Sequence, residues 1–280
     1  MLRPLLIAVL TGAVAAASVV ALESPSQPPP QEQEQPSPRP QAAPSHTTVA
    51  GTSVPPEGPS AAAVHVEVDG QWSWALRNME TGELMGAGSL RNTTESMIKA
   101  WLAVDYVAAK GSVVSSTDEL LIDKMIRSSN DNAAQTLYLR LGADASVRRM
   151  ITTCGLRTTS VHAGWWSLTT MPASDATLLG ACVARGPGMS PEWRDKLLDK
   201  MRNLSPGNGF GIAEAPAFKG RQVAVKNGWT LHGTTWAVNC LGIWDQWVLA
   251  VMIRYHDRGD EHLYGAGVCS TIAQQLFASV

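Results

Sequence analysis

Apolar and polar positions alternate over residues 64–76, VHVEVDGQWSWAL, placing Val64, Val66 and Val68, then Trp72, Trp74 and Leu76, on common faces. Asp69-Gly70 between them is a tight-turn pair, so the stretch predicts a β-hairpin. The period lengthens over residues 95–109, ESMIKAWLAVDYVAA, where Met97, Trp101, Val104 and Ala108 recur at helical spacing. Thr93 or Thr94 stands where that helix would take a side-chain cap. Residues 117 to about 203 are helical in pattern, with loops around 157–168 and 185–191. β-Branched and aromatic runs return at 223–226, 234–243 and 246–255, and a last helix is predicted over about 263–279. That order predicts an α+β protein: an antiparallel sheet flanked by N- and C-terminal helices, with an inserted all-helical subdomain at about 110–210.

The chain ahead of this pattern differs in kind. Met1-Leu2-Arg3 is positively charged, and residues 5–22, LLIAVLTGAVAAASVVAL, carry no charge or strongly polar group. Ala13-Val14-Ala15 and Ala15-Ala16-Ala17 offer small-residue cleavage patterns. Residues 1–22 therefore read as a secretory signal peptide. Left uncleaved, the same segment would be a membrane anchor, since about 18 apolar residues just span a bilayer. No cysteine lies near the junction to take a lipid. Residues 23–62 hold eleven of the 17 prolines and predict a stiff, disordered spacer ahead of a folded domain at 63–280. Such a leader implies a protein that is secreted or held in the cell envelope.

Composition narrows the classes. A chain of 280 residues with 45% hydrophobic and 16% charged residues can bury a full core. A net charge of −2 without a basic stripe argues against nucleic acid as a partner. The four cysteines, Cys154, Cys182, Cys240 and Cys269, are an even number in an exported chain and suggest disulfides, with three pairings open. Cys154–Cys182 and Cys240–Cys269 are favoured because each pair falls within one predicted half. None has metal-ligand spacing, and nothing in the sequence demands a cofactor. Oligomeric state is not encoded in any pattern.

Three short motifs carry candidate chemistry. Ser96 and Lys99 lie on one helix face within side-chain reach. A serine hydroxyl becomes a nucleophile when a neighbouring base takes its proton, and a lysine does so when burial or another cation keeps it neutral. Residues 127–142, RSSNDNAAQTLYLRLG, bring a second hydroxyl with an amide and an acid to a helix start, which is also the ordinary composition of an N-cap. Lys226-Asn227-Gly228-Trp229 places a cation beside a glycine that permits close approach on a sheet edge.

In this order, on helix, helix start and strand, the three motifs resemble those of the penicillin-recognising serine enzymes, the class A β-lactamases and D-alanyl-D-alanine peptidases. The resemblance covers about residues 63–280 and includes TTMPASDATLLGACV (169–183), similar to the stretch after the omega loop. It implies that Ser96 is the acylated nucleophile, Lys99 its base, and Ser129 the relay to the leaving nitrogen. The following Ala133-Ala134 then match without a gap. Lys226 would keep the Lys99 pKa low and attract a substrate carboxylate, and the N–H groups of Ser96 and Trp229 would form the oxyanion hole.

The pattern also departs from the family. Asp131 holds the expected Asn position, unless Ser128-Ser129-Asn130 is the true register. Asn227 replaces a hydroxyl residue, though its amide can still bind substrate together with Asn130, Asp131, Gly228 and Trp229. Residues 145–174 contain no Asp or Glu, so the omega-loop glutamate that hydrolyses the acyl-enzyme is absent. His162 is the titratable group of suitable pKa there; Trp165 and Trp166 could line the cleft or pack. The resemblance thus implies a serine hydrolase acting on β-lactams or peptidoglycan stem peptides, with slow deacylation. The competing reading is a catalytically silent wall-binding or scaffold domain of the same fold.

Overall fold

The protein is described here by a computed structural model covering residues 58–111 and 113–278. The signal-peptide reading and the spacer up to residue 57 lie outside the described residues. Strand β1 (Gln71–Asn78) turns into β2 (Leu84–Gly88), and a short β3 (Arg91–Thr93) follows. A 3₁₀ turn over Glu95–Ile98 feeds α1 (Lys99–Lys110). The helical block is α2 (Ser116–Arg127), α3 (Asp131–Arg140) and α4 (Asp144–Cys154), then β4 (Thr170–Pro172), α5 (Ala173–Arg185) and α6 (Pro191–Arg202). The chain returns to the sheet as β5 (Ala224–Val225), β6 (Gly228–His232), β7 (Thr235–Trp244) and β8 (Trp247–His256), and ends in α7 (Leu263–Phe277).

The sheet is antiparallel in the order β2-β1-β8-β7-β5, with β6 also paired to β7. The nearly unbroken apolar run of β8 is explained by cores on both faces. Val248, Ala250 and Met252 enter the core shared with α1 and α5, while Leu249, Val251 and Ile253 enter the one beneath α7. Period two in the strand thus serves two layers. The α+β class, the helical insertion and the C-terminal helix are as the sequence implied.

Three local expectations need correction. Residues 64–68 form no strand, and the hairpin about Asp69-Gly70 is absent; β1 pairs with β2 and β8 instead. Val64, Val66 and Val68 bury their common face against the α7-side core. Their backbone is held by side chains, His65 exchanging bonds with Gln275 and the Asp69 N–H donating to the Tyr264 hydroxyl. Second, α1 is buried from Lys99 through Val107, so the helix has no exposed face over that stretch. Thr94 does not cap it; its hydroxyl donates to the carbonyls of Trp166 and Ser167. Third, the run at 223–226 is only the start of a broken edge, with β5 and β6 following one another along β7.

The cysteines pair as favoured, Cys154 with Cys182 between α4 and α5, and Cys240 with Cys269 between β7 and α7. No helix among the described residues is long and apolar enough to cross a membrane.

Candidate active site

The turn that carries Ser96 is fixed from below by buried amides. Asn92 donates to the Asn239 side chain, and Asn239 donates to the Thr93 carbonyl at 2.8 Å. From the side, β6 presses against the same turn. A Cβ on Gly228 would stand 2.4 Å from the Thr94 oxygen and 2.8 Å from the Ser96 nitrogen, so glycine is required there by close approach. Glu95, immediately before Ser96, has φ of 47°, and Ser129 has φ of 53°. Positive φ at such residues costs ~1–3 kcal/mol each and persists where the surroundings over-determine the backbone. Glu95 precedes Ser96, and Ser129 is itself strained.

Ser96, Lys99, Ser129 and Lys226 form one hydrogen-bonded chain. Lys99 Nζ donates to Ser96 Oγ at 2.7 Å and to Ser129 Oγ at 3.3 Å, and Lys226 Nζ donates to Ser129 Oγ at 2.9 Å. Lys99 also donates to the Ser129 carbonyl and to Asp131 Oδ1, the latter at 2.6 Å. Its ammonium lies 5.2 Å from the Trp166 ring centroid. Ser128, the alternative in the second motif, faces away and bonds Ser205. The gapless register is therefore the one that brings a hydroxyl between the lysines.

Burial sets the proton balance. Lys99 is 0% exposed and Lys226 1%. Desolvation pulls the Lys99 pKa below its ordinary value, while Asp131 pushes it back up. Lys226 is held well below the ordinary lysine value, first by desolvation and then by the charge on Lys99. Asp131 favours the charged form of both lysines but is hydrogen-bonded only to Lys99. Repulsion between neighbouring cations is mutual, so each lysine disfavours the charge on the other.

Two residues expected to bind substrate are used elsewhere. Asn130 caps α3, its side chain accepting from the Ala133 N–H. Asn227 is fully buried, and its amide donates to the carbonyls of Asn208 and Phe210. The strand break between β5 and β6 sends Lys226 towards Ser129 and Asn227 away from it. Asp131 and Trp229 do line a cleft of about 270 Å³ beside Ser96, with Glu95, Gln135, Thr230 and the 165–167 loop. Trp165 is 60% exposed at its edge, whereas Trp166 is buried. Another hollow, between β2 and Pro172, is lined without ionisable side chains and offers no comparable chemistry.

The loop reading is sharpened too. Asp144 and Asp175, which flank the acid-free segment, both serve as acceptors for loop groups. Asp144 takes the Gly164 N–H and the Tyr138 hydroxyl, and Asp175 the N–H groups of Arg157 and Thr158. Neither lines the cleft. His162 does not line it either. Sequence reasoning missed Glu95, whose buried carboxylate bonds His232 at 2.8 Å, and the Asn92–Asn239 pair. Asn239 had one signal, a lone amide inside the apolar run TTWAVNCLGI.

Comparison with known proteins agrees with the geometry. Residues 109–280 match the family described as the beta-lactamase enzyme family, a span that begins after Ser96 and Lys99. The "Putative lipoprotein LppW" of Mycobacterium tuberculosis is 28% identical over 178 residues, 59% of this chain and 56% of that protein. The chain thus spans little more than half the length of the curated relatives it matches. A β-lactamase from Chitinophaga pinensis superposes with a TM-score of 0.60 at 18% identity, covering 75% of this chain and 93% of that one. A class A β-lactamase from Bacteroides cellulosilyticus gives 0.62 at 13% identity, with 75% and 92% covered. At such identities the superpositions establish the fold.

Proposed function

The chain belongs to the beta-lactamase enzyme family, and from that premise we propose that it is an extracytoplasmic serine hydrolase that forms an acyl-enzyme on Ser96. Its substrates are β-lactams or D-alanyl-D-alanine-type peptides of the cell wall. The observation that carries this reading is the continuous path Ser96 Oγ–Lys99 Nζ–Ser129 Oγ–Lys226 Nζ, with links of 2.7, 3.3 and 2.9 Å.

Ser96 Oγ attacks the substrate carbonyl carbon while neutral Lys99 takes its proton. The tetrahedral oxyanion is held by the backbone N–H groups of Ser96 and Trp229. Preorganised donors of this kind are worth ~3–4 kcal/mol each in the barrier. The C–N bond then breaks, Ser129 gives its proton to the leaving nitrogen, and Lys99 restores the Ser129 hydroxyl. Hydrolysis of the ester is slow. The flanking loop acids are committed to the loop, and the carboxylates beside Ser96 each have one oxygen engaged by a basic side chain, Asp131 by Lys99 and Glu95 by His232. The two disulfides support an oxidising compartment outside the cytoplasm.

Intact-mass measurement after incubation with a penicillin tests this directly. A persistent adduct of one penicillin on the wild type, absent from Ser96→Ala, is the expected result. No adduct, together with no turnover of a chromogenic cephalosporin, would leave the silent wall-binding domain. Rapid turnover would overturn the slow-deacylation part alone.

A further inference from the structure

The charges around the cleft are layered. Lys99 and Lys226 are 0% and 1% exposed and do not line it, so an arriving ligand does not meet them first. What it meets is the Asp131 side chain, 79% exposed, and the Trp165 indole, 60% exposed. Asp131 is bonded through Oδ1 to Lys99, and a carboxylate is an acceptor on both oxygens. It offers nothing to a carbonyl and a strong partner to an N–H or an ammonium.

A second carboxylate repeats that sign from within the wall. Glu95 is 3% exposed and lines the same cleft; His232 engages its Oε1, and Oε2 has no hydrogen-bond partner among the described residues. His262, which does not line the cleft, sits 5.3 Å from the Trp229 ring, and burial lowers its pKa. The residues lining the rim therefore include carboxylates and indole faces but no lysine or arginine. Indole faces attract cations through the ring quadrupole.

We propose that the cleft selects substrates carrying a protonated amine on the acyl side of the scissile bond, held by Asp131 and Trp165 while the reacting carbonyl reaches Ser96. The proposal rests on the acyl-enzyme reading for its orientation. Asp131 is then a specificity residue, and the departure from the family's Asn changes the substrate preference instead of merely weakening the site.

The test uses Ser96→Ala protein, so that binding is read without reaction. A lysine-containing tripeptide ending in D-alanyl-D-alanine is titrated with its side-chain amine free, and again with that amine acetylated, following tryptophan fluorescence at pH 7. The free amine is expected to bind about tenfold more tightly. Adding Asp131→Asn should bring the ratio close to one, and Trp165→Ala should reduce it independently should the first variant not fold. Equal affinity, tighter binding of the acetylated peptide, or no measurable binding of either at millimolar concentration overturns the proposal. A retained preference without any penicillin adduct on the wild type would sink the acyl-enzyme reading alone. An adduct with equal peptide affinities would sink the amine preference alone.

Discussion

Two buried lysines reach the same hydroxyl from opposite walls of the cleft, and the walls treat them differently. On the helical wall Lys99 donates to Ser96, to Ser129 and to Asp131, so its charge is compensated. On the sheet wall Lys226 donates to Ser129 and to the Asn227 carbonyl, with no carboxylate in contact. Both are buried, but Asp131 is hydrogen-bonded only to Lys99 and favours its charged form. A residue that looks like an eroded motif in the sequence therefore bears on the proton affinity of Lys99.

The largest expected effect separates the two lysines. Lys99→Met removes the group bonded to Ser96 and leaves Asp131 without its cation. Acylation by a penicillin should fall about 10³–10⁴-fold, towards the upper range for general base catalysis. Lys226→Met leaves Ser96 and Lys99 in contact and should cost about 10²-fold. Stopped mass spectrometry of adduct formation measures both. Equal losses would show that the two walls contribute alike and would break the contrast.

A second contrast concerns what keeps each wall in place. Cys154–Cys182 staples the helical side across 28 residues, and Cys240–Cys269 the sheet side across 29. Loop closure alone gives each about 3–4 kcal/mol, so the paired serine variants should lose similar stability in urea unfolding. Their activities should differ. A Cβ at Gly211 would lie 2.8 Å from Cys240 Sγ, so the sheet-side disulfide supports the loop whose carbonyls bind Asn227 beside Lys226. Cys240→Ser/Cys269→Ser should therefore slow acylation more than Cys154→Ser/Cys182→Ser. The opposite order would place the more sensitive support in the helices.

The helical wall was the more legible of the two in the sequence. Ser96, Lys99 and Ser129 were singled out by short motifs read together as a family resemblance, and the disulfides by the two predicted halves. The central strand β8 declared itself as an apolar run. Asn227 could not be read, because its direction depends on the break between β5 and β6 along a partner strand. The Glu95–His232 and Asn92–Asn239 contacts join residues 137 and 147 positions apart, beyond any periodic pattern. Val64, Val66 and Val68 show the converse error: alternation reports one buried face, and here a helix buries it. Short motifs named residues on both walls, including Lys226; the direction of Asn227 and the long-range contacts needed tertiary structure.

The smallest effect tests the neighbour that distinguishes the walls. Lys99 serves as a base only when neutral, so the acylation rate climbs as pH rises through its pKa. Burial lowers that pKa, and Asp131 raises it by favouring the charged form. With Asn at position 131 the raising contribution is lost, the pKa falls, and the rising limb of the pH–rate profile moves to lower pH. Because the Asp131 side chain is 79% exposed, solvent screens much of the attraction. An exposed pair of this kind is worth roughly 0.2–1 kcal/mol, so the rate on that limb should rise about 1.4- to fivefold. The plateau at high pH should not rise, since Lys99 is already neutral there. Adduct formation by Asp131→Asn, followed across pH with one uncharged-side-chain penicillin, separates these regions. A limb that stays in place or moves upward would mean that Asp131 does not hold the Lys99 proton, and the asymmetry between the two lysines would have to come from burial alone.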